Sequence, residues 1–193
     1  MAIINDSDNS NLVLGTAYSD TIHGNGGDDD IYARSGNDFV AGDNGDDYLD
    51  GGRGNDVLVG GAGTNDLYGG IGADTFLMAG VVDGYSDDFI VDFTFDVDDI
   101  DVSAWGASSI DQLKFIMSTD RFGDATLNAF YNGFDHYLTI QDVEKSDLVS
   151  RDFVFSELGA QVITGTAVRD TLFGSTEGDR IAASGGDDIV LGG

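Results

Sequence analysis

Seven residues at a fixed interval carry the chemistry written most plainly in this chain: Asp20, Asp29, Asp38, Asp47, Asp56, Asn65 and Asp74 follow one another every nine positions. Asp170, Asp179 and Asp188 repeat the interval near the other end. A short carboxylate both tolerates tight turns and offers hard oxygen ligands, and calcium takes six to eight such oxygens. Gly27, Gly36, Gly45, Gly54, Gly63 and Gly72 stand two places ahead of the acids of the first array. Glycine there permits a positive φ, and so a turn whose carbonyls can complete the coordination of an ion. These acids, the single amide and these glycines are the candidate calcium ligands. The amide at Asn65 coordinates through oxygen without a formal charge, so its site is expected to hold calcium least tightly. The competing reading is that Asp66 has shifted into the ligand role through a local bulge.

The elements that position these residues follow from the same interval. From Gly15 the chain divides without insertion into GTAYSDTIH, GNGGDDDIY, ARSGNDFVA, GDNGDDYLD, GGRGNDVLV, GGAGTNDLY and GGIGADTFL, and it resumes as GTAVRDTLF, GSTEGDRIA and ASGGDDIVL. The eighth place is always apolar: Ile22, Ile31, Val40, Leu49, Leu58, Leu67 and Phe76, then Leu172, Ile181 and Val190. Six glycine-rich residues suit a turn, and three residues with one apolar centre suit a very short strand. Two units make a coil of 18 residues, strand, turn, strand, turn, whose eighth-place side chains point inward between two parallel sheets. Stacking then places Asp20 near Asp38, Asp29 near Asp47, Asp38 near Asp56, Asp47 near Asn65 and Asp56 near Asp74. Stacked carboxylates repel unless a cation lies between them, which predicts a ladder of calcium sites along each edge.

Composition narrows the partners. The 193 residues carry 36 acids against 8 Lys and Arg, a formal net charge of -28, which repels nucleic acid and anionic membranes. Glu stands only at Glu144, Glu157 and Glu177, so almost every acid is the short one. There is no Cys, which excludes disulfides, thiolate metals and Cys nucleophiles. Residues 1–14 lack the basic segment and apolar run of a cleaved signal peptide, and no stretch is long and apolar enough for a membrane helix. His23 falls at a variable ninth place and His136 in a predicted hairpin strand, both read as surface or edge residues. No nucleophile triad, zinc spacing or phosphate loop is visible, and the chain is read as a binding module without catalytic residues.

The units resemble the repeats-in-toxin (RTX) consensus G-G-x-G-x-D-x-U-x, in which U is a large apolar residue. That resemblance implies an all-β fold built on a calcium-bound parallel β-roll. It also implies a secreted, extracellular protein that engages type I secretion machinery and folds on calcium outside the cell. Tyr18, Val168 and Glu177 take the fourth, usually Gly, place, as expected of units that cap an array.

Between the arrays the glycines thin out and the aromatics gather. Phe89–Val102 alternates well enough for two strands, Ser109–Gln112 forms a capping box ahead of a short helix to about Met117, and Asn132-Gly133 marks a hairpin between Ala125–Tyr131 and Phe134–Ile140. The stretch Asp87–Gly106 is similar to the segment after the roll in serralysin-type proteases and in the R-modules of mannuronan C-5-epimerases, with Asp88, Asp92, Asp98 and Asp101 at acidic places and Asp96 where many relatives have Gly. Residues 148–156 resemble the closing strand of that segment. The expected organisation is a lead-in over 1–14, a roll over 15–77, a mostly antiparallel β domain over 78–156 and the start of a second roll over 157–193. The chain stops at Gly192-Gly193, the first two places of a further unit, as expected of a module within a longer exoprotein. Two further roles are open: a polysaccharide-binding accessory module, or a surface-layer or adhesin segment.

Overall fold

The structure is a computed structural model and describes residues 1–78, 84–131, 134–156, 162–165, 167–174 and 179–192. Its strands are short because each repeat has only three extended residues. They are β1 (Ile3–Asn5), β2 (Leu12–Leu14), β3 (Thr21–His23), β4 (Asp30–Tyr32), β5 (Phe39–Asn44), β6 (Tyr48–Asp50), β7 (Val57–Tyr68) and β8 (Thr75–Leu77). Every pairing among them is parallel and joins residues 18 apart, for example Ile22 with Val40 and Ile31 with Leu49. The coil is therefore two units long, as the nine-residue interval requires. Odd-numbered β1, β3 and β5 lie in one sheet and β2, β4 and β6 in the other. The long β7 runs through a turn and contributes to both. All seven eighth-place side chains from Ile22 to Phe76 are completely buried between the sheets.

The roll starts earlier than the glycine pattern indicates. β1 pairs with β3 and β2 with β4, and Val13 is buried, so residues 3–14 are coil and not lead-in. The stretch Asp6–Leu14 retains Asn11 at the sixth place and Val13 at the eighth but has no glycine, so the glycine pattern does not reveal it.

The middle segment also departs from expectation. β9 (Ser86–Ile90) pairs in parallel with β7, and β10 (Asp99–Asp101) in parallel with β8. The two sheets thus continue, with spacings of 23 for Asn65 and Asp88 and 24 for Thr75 and Asp99 in place of 18. β14 (Phe153–Val154) extends the first sheet beyond β10, again in parallel. Among the described residues antiparallel pairing is confined to β11 (Met117–Thr119), β12 (Ala125–Tyr131) and β13 (Phe134–Ile140), and β13 itself runs parallel to β9. Alternation reveals a strand but not its neighbour's direction, so the parallel pairings that join β9, β10 and β14 to the sheets are not legible from it. The hairpin strands have the predicted bounds; the Asn132-Gly133 turn lies outside the described residues.

The helix α1 (Ile110–Ile116) forms where expected, but its N-terminal bond is displaced by one residue. Gln112 Oε1 accepts the N–H of Ser108 at 2.7 Å, and Ser109 makes no side-chain cap. Asp96 adopts φ 61, which explains why glycine suits that place, and it pairs with Arg151. β15 (Val162–Thr164) and β17 (Arg180–Ala182), with β16 (Thr171–Phe173) and β18 (Ile189–Leu191), form a second pair of parallel ladders at the same spacing of 18. Leu172 is buried there, whereas Val190, on the outermost described strand, is exposed. Gln112 Nε2 donates to the carbonyl of Leu191 at 3.2 Å and also bonds that of Gly174, which fastens this array to α1.

Candidate metal centre

The sixth-place acids do stack, through their backbone as much as their charge. The N–H of Asp20 donates to Oδ1 of Asp38 at 2.7 Å, that of Asp38 to Asp56 at 2.7 Å, and that of Asp56 to Asp74 at 2.9 Å. On the opposite edge Asp29 donates to Asp47 at 2.9 Å and Asp47 to Oδ1 of Asn65 at 3.1 Å. In the second array Asp170 donates to Asp188 at 3.0 Å. Asp179 and Asp188 are half-buried on that shorter stack. One oxygen of each carboxylate is therefore spent on holding successive turns in register.

The other oxygen distinguishes the positions. Oδ2 of Asp29, Asp38, Asp47, Asp56 and Asp74 is buried and has no hydrogen-bond partner among the described residues. A buried carboxylate oxygen without a partner is costly, and native folds rarely leave one unless another ligand satisfies it. Burial raises the pKa of all five, aided by repulsion from neighbouring carboxylates, with Asp47 and Asp56 reaching about 7 and Asp74 about 6.

The turns place carbonyls against these oxygens. Gly27, Gly36, Gly45, Gly54, Gly63 and Gly72 all have positive φ, as does the second place of each of these turns, at Asn25, Arg34, Asp43, Gly52, Gly61 and Gly70. Beside Gly24, Oδ2 of Asp29 and the carbonyl of Gly42 both lie 2.6 Å from the spot a side-chain carbon would fill; beside Gly51, Oδ2 of Asp56 lies at 2.7 Å and the carbonyl of Gly69 at 2.8 Å. At Ala33, on the Asp38 turn, a methyl takes the corresponding place. Two acceptors brought to one side of a glycine with no proton between them suit a hard cation nearby. No group of three or more Asp, Glu, His or Cys side chains converges among the described residues.

Asp20 and Asn65 differ from the five. Oδ2 of Asp20 accepts the N–H and the hydroxyl of Thr16, each at 2.7 Å. Burial works to raise its pKa, but these bonds, with that from Ala2, outweigh it and hold the group below the usual carboxylate range. Asn65 uses both amide atoms, since Nδ2 donates to Oδ1 of Asp88 at 2.8 Å. Asp66 is exposed and keeps the 18-residue register opposite Tyr48, so no bulge brings it into the ladder.

One kind of residue was missed from sequence, and the acids singled out in the middle segment find unexpected partners. Fifth-place side chains form a second ladder of opposite polarity: Asp28 accepts the N–H of Asp46 at 3.0 Å, Asn37 that of Asn55 at 3.1 Å and Asp46 that of Thr64 at 2.8 Å. Ser, Asp and Asn alternate there and look variable, though all are short acceptors. The middle segment supplies the next sixth-place equivalents, Asp98 accepting from the N–H of Asp74 at 2.9 Å and Asp88 meeting Asn65. Asp92 instead holds the N–H groups of Gly69 and Gly70, and Asp101 that of Ser103. His23 bonds Asp43 at the surface, while His136 is fully buried with Nδ1 3.2 Å from the hydroxyl of Ser86, not at an edge as its place in a hairpin had indicated.

The family model of the RTX calcium-binding nonapeptide repeat matches residues 6–40, 41–76 and 164–193, together just over half of the chain. Among solved structures the chain is similar to the AlgE6R3 subunit from the Azotobacter vinelandii mannuronan C5-epimerase, at 28% identity and a TM-score of 0.41, over 77% of this chain and 80% of that one. It is also similar to the AlgE6R2 subunit of the same enzyme, at 24% identity and a TM-score of 0.42, over 76% of this chain and 94% of that one. None of the curated proteins compared matches the chain.

Proposed function

The chain belongs to the RTX calcium-binding nonapeptide repeat family, and from that premise we propose that it is a non-catalytic module that folds on calcium outside the cell, supporting type I secretion and the stability of an attached domain. The five buried, unpartnered Oδ2 atoms of the sixth-place acids carry this reading. Asp29, Asp38, Asp47, Asp56 and Asp74 would hold the ions, with carbonyls of the positive-φ turns completing each shell. Calcium supplies positive charge that neutralises these stacked carboxylates. Asp170, Asp179 and Asp188 would do the same in the second array. Extracellular-type sites bind at about 0.1 to 1 mM, so they are empty at cytosolic calcium and filled outside. The chain would thus cross the export machinery unfolded. Among the described residues no helix is long and apolar enough to cross a membrane.

Calorimetric titration tests the reading: several calcium ions per chain at millimolar concentration support it, and no uptake overturns it. The individual acids are graded by their second oxygen. Asp56→Ala is expected to lose an ion and to raise the calcium midpoint of folding several-fold. Asp20→Ala is expected to cost about 1 kcal/mol at any calcium concentration, because it removes only hydrogen bonds. Equal shifts of the midpoint in calcium-titrated melts would contradict the assignment.

A polysaccharide-binding role is the second reading, favoured by one surface feature. Tyr32, Tyr48 and Tyr68 form a row along the outer face of the second sheet, with ring centroids 5.4 and 5.0 Å apart, beside Asp30, Asp50 and Asp66. Aromatic faces with adjacent acceptors suit sugar rings. A glycan array read with and without Tyr48→Ala tests it.

A further inference from the structure

Beside Gly60 the chemistry of the ladder changes. In the cradles at Gly24 and Gly51 a carboxylate oxygen and a carbonyl oxygen line the same spot, and both are acceptors. At Gly60 that spot is lined by Nδ2 of Asn65 and Oδ1 of Asp88. One is a donor and the other an acceptor, and they bond each other at 2.8 Å. Oδ1 of Asn65 meanwhile accepts the N–H of Asp47, so both polar atoms of the amide are satisfied with no ion present. Asn65 is completely buried and Asp88 nearly so, which places the pair out of reach of competing water.

The same substitution of an N–H for an ion occurs at both ends of the other ladder. Oδ2 of Asp20 takes the N–H of Thr16 at 2.7 Å, and Oδ2 of Asp98 takes the N–H of Thr94 at 2.8 Å. In each case the donor stands four residues before the acid, and neither threonine has the positive φ found at the second place of the intervening turns. Those intervening turns send the second-place N–H elsewhere, as when Gly70 donates to Asp92.

We propose that N–H donors terminate the Asp20 ladder at both its ends and the Asp29 ladder at its far end, where the Asn65–Asp88 pair is a metal-free rung that closes the edge and ties the roll to the middle segment. This rests on the calcium reading above and refines it. Asn65 is then a determinant of how many ions bind: its amide nitrogen occupies the role that calcium has at the five acids. The pair needs no calcium, so this junction holds under conditions in which the other rungs are open.

The test counts ions in the full chain by native mass spectrometry at saturating calcium. Asn65→Asp removes the donor and sets a second acceptor against Asp88, so this variant is expected to take up one calcium more than the parent chain and to be less stable in chelator. The exchanged double variant, Asn65→Asp with Asp88→Asn, restores a donor facing an acceptor and is expected to return to the parent count. An unchanged count in Asn65→Asp, or an additional ion in the exchanged variant, overturns the proposal. Should Asn65→Asp fail to fold, the exchanged variant decides alone: the parent count supports the pair, and any other count overturns it. A parent chain that binds no calcium refutes the wider reading instead, which keeps the two failures separate.

Discussion

In excess chelator the chain is expected to lose most of the β structure of its repeats, and to regain it at millimolar calcium. The unfavourable side of the balance is legible in the structure. A net charge of -28 favours expansion, and the Oδ2 atoms of five sixth-place acids are buried without a hydrogen-bond partner among the described residues. Each coil contributes only two fully inward side chains, against a backbone entropy of about 1 to 2 kcal/mol per ordered residue. Calcium reverses this by mass action. At 1 mM calcium, a site with a dissociation constant of about 0.1 mM contributes roughly 1.4 kcal/mol, and five such sites contribute about 7. That is comparable to the whole stability of an ordinary domain. Circular dichroism across a chelator-to-calcium titration checks the expectation; full β content in chelator would show that the apolar seam suffices by itself.

The largest effect expected of a single substitution is at Gly54. This residue has φ 136, where an L side chain is strained, and a Cβ added to it would run into the carbonyl of Gly36 one coil below. That carbonyl belongs to a backbone fixed on both sides, since Gly36 donates to the carbonyl of Arg53 at 2.9 Å and Gly54 to that of Ile71 at 2.9 Å. Neither coil can yield without breaking its neighbour's bonds. Gly54→Ala is expected to cost more than about 4 kcal/mol, in the range reserved for severe mechanisms, and to abolish the cooperative melt even at saturating calcium. Gly123→Ala is the control: its φ is also positive, at 108, but nothing lies within 4 Å of the added carbon. It should cost about 1 to 2 kcal/mol, the strain alone. Similar losses in the two variants, compared by thermal melts in calcium, would mean that close stacking does not limit the turn.

How much of this was legible beforehand depends on what each residue must do. The eighth-place side chains were readable because an inward position admits only apolar residues, and the sixth-place acids because one side chain serves every turn. The parallel spacing of 18 followed from those two facts. The fifth place was not readable as a ladder, since Ser10, Ser19, Asp28, Asn37, Asp46 and Asn55 share a function but not an identity. The first coil was hidden because Asp6–Leu14 turns without glycine. The continuation of the sheets into the middle segment was hidden by inserted residues, which destroy a period while leaving the stacking intact. Asn65 was recognised as exceptional, but its partner was not, because Asp88 lies 23 residues away and outside any repeat.

That irregular spacing has a consequence for how the coils find their places. An array of near-identical units has a degeneracy: sliding the chain by one coil exchanges one set of aspartates and glycines for another and is only weakly penalised. The longer coil breaks the degeneracy. If the middle segment docked one coil too early, Asp88 would meet Asp47 in place of Asn65, two buried carboxylates with no donor between them. Asp92 would discriminate nothing by such a slip, because Gly51 and Gly52 offer the same N–H groups as Gly69 and Gly70. Next to Asp29 and Asp47 on its own edge, the amide of Asn65 thus serves as an address, marking the coil on which the rest of the protein is meant to sit.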